Sequence, residues 1–379
     1  MFLEAFSREF LTAVMAFFIA LYTLLTGTLM AVVPASLPSQ NMSAVYATTT
    51  LPVSPSPLSK SNPSVQKISN SSAVKNQNTA VGSVSPVLST SSPTGENSQE
   101  LNDQTRAAVV NLLCTTNAGG YLHPISGSGV LIDSHGIILT NAHVAEYFLL
   151  RDYPTPGNVN CIVRTGSPAQ PAYNAEVLYL PPNWISANAS EITSQQPTGT
   201  GENDYAFLLI TGSIDPSISP PDVFPFLTMS TDVSGVGAPV LLAAYPAGFI
   251  GGVTIEMNLY ASSAFTTIQK LYSFGGSSVD VLSLGGSVLA QAGSSGGAVV
   301  STDDGSLIGI ITTDTASNTT AGRDLHAITL GHVDRSLQAE GLGGIDSFLS
   351  NNPVDTANVF NTTIAPELKQ ELINALQQH

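Results

Sequence analysis

Three polar side chains stand in settings that could act together on a carbonyl group. Ser295 lies in the run AGSSGGAVV, where Gly293, Ser294, Gly296 and Gly297 permit a tight turn directly before an apolar strand. A hydroxyl exposed on such a turn can attack a carbonyl carbon, and backbone N–H groups of the same turn can take up the negative charge that develops on the oxygen. Gly293 and Ser295 are expected to supply that N–H pair. The runs GGSS at 275–278 and GGS at 285–287 resemble the turn in composition, but they lack the sequel of apolar strand, DDG turn and return strand SLIGIITTD.

A serine hydroxyl needs a base. His143, in ILTNAHV, sits where the strand Ile137–Thr140 ends and a short turn leads into a helix. Such a junction can hold an imidazole at a cleft edge. The base in turn needs a shielded carboxylate to fix its tautomer. Asp204, in ENDYAFLLI, opens an apolar strand and meets that requirement. Asp133, Asp303 and Asp304 belong to hairpin turns, and Asp152, Asp215 and Asp222 to polar or proline-rich loops.

These residues must be positioned by β-structure. VVNLLCTT, GVLIDSHGIILTNA, VNCIVRT, AEVLYL, DYAFLLI, PVLLAAY, VTIEMNLY, AVVST, SLIGIITTD and LHAITL are short apolar or β-branched runs between Gly, Pro, Asn and Asp turns. The DSHG turn within the second of them signals a hairpin. Many short strands with almost no helical periodicity before Val333 predict an all-β fold, an antiparallel sandwich or barrel. GSIDPSISPPDVFP, 212–225, is a connector between two β halves. In APELKQELINAL, 365–376, Leu368, Leu372, Ile373 and Leu376 recur at helical spacing and predict one short C-terminal helix that packs on the body or on a neighbour.

Outside this region the chain changes character. Residues 12–33 carry no charge, and at about 1.5 Å per residue they could cross a bilayer. Arg8 precedes them and the next cation is Lys60, so a retained signal anchor would leave residues 1–11 in the cytoplasm; a cleaved signal peptide is the alternative. Residues 34–103, rich in Ser, Pro, Thr and Asn, predict a disordered linker. The globular segment is then 104–336, followed by a tail, 337–379, that carries the amphipathic helix.

A net charge of −16 argues against a nucleic-acid partner. Metal-ligand spacings such as C-x-x-C and H-E-x-x-H are lacking, so neither a metal nor a cofactor is expected. Cys114 and Cys161 lie on strands before and after His143; in an exported chain they would form a disulfide, and otherwise they are two buried thiols.

Taken together, SGSGVLIDSHGIILTNAHV, DYAFLLI and GSSGGAVVSTDDGSLIGIITT resemble the trypsin-like serine proteases, nearest their bacterial HtrA/Deg-type branch, over residues 105–336. The resemblance implies two perpendicular six-stranded antiparallel β-barrels, with His143 and Asp204 from the first, Ser295 from the second, and the site between them. It places Leu289 six residues before Ser295, where a preference for Lys or Arg would require Asp, and sets Thr312, Thr313 and Asp314 along the bound substrate. Ser294 stands where relatives have Asp or Asn, no I-V-G-G start lies near Leu101, and no PDZ-type domain follows.

The activity so implied is that of a membrane-anchored extracytoplasmic serine endopeptidase, acting on polypeptides through His143, Asp204 and Ser295. The competing readings are a catalytically inactive pseudoprotease that grips extended peptides by strand addition, and an esterase on the same triad. HtrA-type relatives are often trimers, which leaves a homo-oligomer open.

Overall fold

The structure, a computed structural model, describes residues 95–116, 122–194, 200–248, 252–314 and 319–378. The expected anchor at 12–33 and most of the expected linker lie outside these residues. Among the described residues no helix is long and apolar enough to cross a membrane. The helix α1, Gly95–Ala108, begins inside the stretch assigned to the linker and runs straight into the first strand.

The first half is a closed six-stranded barrel in the order β1-β2-β3-β6-β5-β4. Its strands are β1 (Val109–Thr116), β2 (Ile125–Leu131), β3 (Ile137–Thr140), β4 (Val159–Thr165), β5 (Gln170–Tyr179) and β6 (Ala206–Ser213). Helix α2 (Ala142–Leu149) follows β3, and α3 (Pro182–Asn188) follows β5. Cys114 and Cys161 face each other across β1 and β4 and are disulfide-bonded. The bond closes a sequence separation of 47 residues. In the chain-entropy description that contributes about 4 kcal/mol to stability.

The second half is antiparallel but differs from a six-stranded barrel. It is a seven-stranded sheet in the order β8-β7-β11-β12-β13-β10-β9. The strands are β7 (Pro239–Ala244), β8 (Ser262–Thr267), β9 (Lys270–Tyr272), β10 (Val281–Ser283), β11 (Ala298–Ser301), β12 (Leu307–Asp314) and β13 (Leu325–Thr329). The edge strands β8 and β9 are consecutive in the chain, joined by Ile268 and Gln269. The Ile268 amide donates to Ala238 O at 3.0 Å, beside β7, while the Gln269 amide donates to Ser283 O at 2.7 Å, in β10. The ladder breaks where the chain turns from one neighbour to the other, so one strand becomes two and the ring does not close.

One predicted strand is a helix. VTIEMNLY begins in α4, Gly252–Met257, despite its β-branched residues. The fully buried Arg164 donates to the carbonyls of Ile255 at 2.9 Å and Glu256 at 3.0 Å, so a cation satisfies the helix's last carbonyls. Tertiary pairing overrides local propensity here.

The tail is also more helical than predicted. The helices α5 (Leu330–Ala339), α6 (Gly344–Leu349), α7 (Pro353–Thr363) and α8 (Ala365–Leu376) follow β13 almost without interruption. Phe348 meets Phe207 at 5.0 Å and Tyr179 at 5.8 Å between ring centroids, and Phe360 meets Tyr179 at 5.9 Å. Asn361 donates to Val177 O at 2.9 Å. Leu368, Leu372 and Leu376 are buried along α8. These helices extend the core of the first barrel, with Val333, Leu337 and Phe348 in the same apolar cluster as Leu112 and Phe207. A separate cluster, including Leu242, Leu282 and Val299, fills the second sheet.

Candidate active site

Each candidate residue sits at the end of a regular element. His143 is the second residue of α2, directly after β3 and Asn141. Asp204 precedes β6 by one residue, at the end of a turn in which Gly201 (φ 82°) and Asn203 (φ 61°) both take left-handed backbone. Ser295 lies between Gly293 (φ 90°) and Gly296 (φ 82°), two residues short of the bend into β11. A side chain at Gly296 would strike Ser128 O and Thr140 Oγ1, and one at Gly293 would strike Tyr245 O at 2.7 Å. Glycine is required at both positions for its backbone conformation and for close packing, against the first barrel at Gly296 and against the segment after β7 at Gly293.

His143 and Asp204 are joined twice. His143 Nδ1 lies 2.8 Å from Asp204 Oδ2, and the His143 amide donates to Asp204 Oδ1 at 3.0 Å. Thr312 Oγ1, from β12, donates to the same Oδ2 at 3.0 Å, and Asn141 Nδ2 donates to the Asp204 carbonyl at 2.7 Å. The carboxylate is only 4% exposed and is satisfied from both halves of the fold. It fixes the imidazole with Nδ1 protonated, which leaves Nε2 as the basic atom. Burial alone would lower the His143 pKa, but the charge of Asp204 and its hydrogen bond outweigh burial and raise it above the ordinary 6.5.

The Ser295 turn is held by its main chain. Ser128, in β2, donates through its amide to Ser295 O at 2.8 Å and through Oγ to Gly293 O at 2.7 Å, and Oγ accepts from the Tyr245 amide at 2.9 Å. The amides of Ser294, Gly296 and Gly297 all donate to carbonyls. Those of Gly293 and Ser295 donate to none among the described residues. The two N–H groups expected to face a developing oxyanion are therefore the two left free in this turn. The Ser295 hydroxyl donates to Thr312 O at 3.4 Å, a long bond.

The other expected residues lie in the second core, in β12 and in local turns. Leu289 is fully buried within the second core. Thr312 is buried, with its hydroxyl committed to Asp204. Thr313 and Asp314 continue β12, and their side chains lie outside the described part. Ser294 is buried with its hydroxyl unpartnered. Asp133 and Asp304 hold local turns, through His135 and Ser306.

Two residues near the site escape sequence reasoning. Ser128 ties the first barrel to the Ser295 turn, and its one signal is the serine between glycines in S-G-S-G-V. Glu146, one turn after His143 on α2, is buried with Oε2 unpartnered. Burial, then the nearby charge of Asp204, push its pKa well above the usual carboxylate range. Among the described residues no cluster of His, Cys, Asp and Glu could hold a metal ion.

Residues 127–310, which include His143, Asp204 and Ser295, match the family model described as trypsin-like peptidase domain. No curated protein matches the chain. Among solved structures it is similar to the active form of the Rv3671c protease from M. tuberculosis, at 20% identity and TM-score 0.40, over 68% of this chain and 92% of that one. It is similar to Deg5 at 18% identity and TM-score 0.41, over 63% and 91%. The serine endoprotease from Yersinia pestis matches at 20% identity and TM-score 0.41, over 66% and 68%. The match at 127–310 shows that this chain carries a trypsin-like peptidase domain, which makes it a peptidase.

Proposed function

We propose that this chain is a serine endopeptidase in which Ser295 is the nucleophile, His143 the general base and acid, and Asp204 the group that orients His143. The observation that carries the reading is the buried Asp204 carboxylate holding His143 Nδ1 at 2.8 Å while Thr312, whose own carbonyl accepts from Ser295, braces it from the other side.

In the first step Ser295 Oγ bonds to the scissile carbonyl carbon and its proton passes to His143 Nε2. This step requires the Ser295 hydroxyl to leave its long contact with Thr312 O and turn to His143 Nε2. The tetrahedral oxyanion is stabilised by the Gly293 and Ser295 amides. Collapse expels the amine, which takes the proton from His143 and leaves an acyl-enzyme. Water then attacks the ester by the same route in reverse, and Ser295 is regenerated.

The setting is part of the same reading: an anchor at 12–33 tethers the peptidase to the cell membrane on its extracytoplasmic side, with polypeptides as substrates. The Cys114–Cys161 bond supports an oxidising compartment. The test is casein hydrolysis. Ser295→Ala should lower turnover by about 10⁶-fold and Asp204→Asn by about 10⁴-fold. Undiminished cleavage by Ser295→Ala overturns the assignment, and peptide binding without cleavage by the unaltered chain would leave the non-catalytic reading.

A further inference from the structure

The two residues that flank Asp204 meet on one hydroxyl. Tyr205 Oη donates to Ser336 Oγ at 2.9 Å, and Ser336 Oγ donates in turn to Asn203 Oδ1 at 3.0 Å. The hydroxyl accepts once and donates once, which uses its single proton in full. Ser336 stands on α5, so a helix of the tail reaches back to the turn that carries Asp204.

That turn needs a fixed point. Asn203 (φ 61°) is, among the described residues, the one non-glycine residue with left-handed backbone. Such a conformation is sparsely populated outside glycine and lasts only where the surroundings hold it. The turn's own bonds are local: the Asp204 amide donates to Gly201 O at 3.1 Å and the Tyr205 amide to Asn203 O at 2.9 Å. The Ser336 end of the bridge is firm. Val333 and Leu337 of α5 are fully buried, in the same apolar cluster as Phe207. Thr329 caps the helix by accepting from the His332 amide at 3.0 Å. Tyr205 is fully buried as well, with its ring edge-on to that of Phe207 at 6.1 Å. His143 and Thr312 orient the Asp204 carboxylate, whereas the Ser336 bridge holds the residues before and after it.

We infer that Ser336 is a positioning residue for the reaction proposed above. Through Asn203 and Tyr205 it sets where the Asp204 backbone sits, and so how closely the carboxylate meets His143 Nδ1. The inference rests on the catalytic reading, in which Asp204 orients the base. It makes α5, together with the two β halves, part of what holds the triad.

The test is steady-state peptidase kinetics across pH on the full chain and on Ser336→Ala, Ser336→Thr and Tyr205→Phe. Ser336→Ala should lower kcat about tenfold, the scale of a sub-ångström displacement, with KM little changed. A looser Asp204 opposes the effect of burial on His143 less, so the acid limb of kcat/KM should also move to lower pH. Ser336→Thr keeps the hydroxyl and should restore both. Tyr205→Phe removes only the other hydroxyl and should act in the same direction, which keeps the inference testable if Ser336→Ala folds poorly. Unchanged kcat and acid limb in the folded variants would overturn the inference. So would a lost rate with an unmoved limb, or a loss that threonine fails to restore, since either marks a general structural role. Failure of the catalytic reading shows separately, as cleavage undiminished in Ser295→Ala, and the inference falls with it.

Discussion

The Ser128 hydroxyl donates to the Gly293 carbonyl at 2.7 Å while it accepts from the Tyr245 amide at 2.9 Å. A residue of the first barrel thus fixes the turn that presents Ser295 in the second half of the fold. Ser128→Ala strips both partners at a buried site, which costs about 1–3 kcal/mol. It also frees the turn to drift, and misplacement on the ångström scale costs about 10²-fold in rate. The expected outcome is a fall in kcat of that order with KM little changed. Steady-state kinetics on a peptide substrate would read this, and an unchanged kcat would show that the turn holds itself.

The His143–Asp204 pair predicts the pH profile. A general base works only when neutral, and Asp204 raises the His143 pKa above 6.5. The acid limb of kcat/KM should therefore have its midpoint above 6.5, with activity rising as pH rises through it. Asp204→Asn removes the charge that opposes burial, so the residual activity should show its acid limb at lower pH. A limb unmoved by that substitution would mean that another group controls it.

How much of this was legible in the sequence follows from what each residue needs locally. Ser295, Gly293 and Gly296 require a glycine-rich turn before a strand, and His143 and Asp204 sit at strand ends; such settings leave a pattern of neighbours. Ser128 leaves almost none, because its partners lie far away in sequence and its own strand needs no serine. The same holds for α4, where Arg164 makes the difference from about ninety residues away. In α7 the buried residues are Ala357 and Phe360, too few for a helical stripe to stand out. The break at Ile268–Gln269 depends on which neighbour each amide finds, a matter of tertiary pairing that alternation does not encode.

Glu146 carries a prediction about stability. In the folded chain its acid resists ionisation, whereas in the unfolded chain it ionises near the ordinary 4.5. Between these two pKa values folding binds a proton, so stability falls as pH rises from about 4.5 toward the raised folded pKa. Glu146→Gln carries no such penalty. Denaturant unfolding should find the variant more stable than the parent at about pH 7 and similar at about pH 4, with turnover kept. A variant no more stable at the higher pH would show that the acid is ionised in place.

The central claim concerns one oxygen atom, Ser295 Oγ, and its activation by His143. The direct measurement is peptide mapping by mass spectrometry after treatment with a fluorophosphonate, which phosphonylates an activated serine and releases fluoride. The account predicts one adduct, on the peptide containing Ser295, that fails to form in His143→Ala. No adduct on the folded chain, or an adduct on another serine that persists without His143, would contradict it.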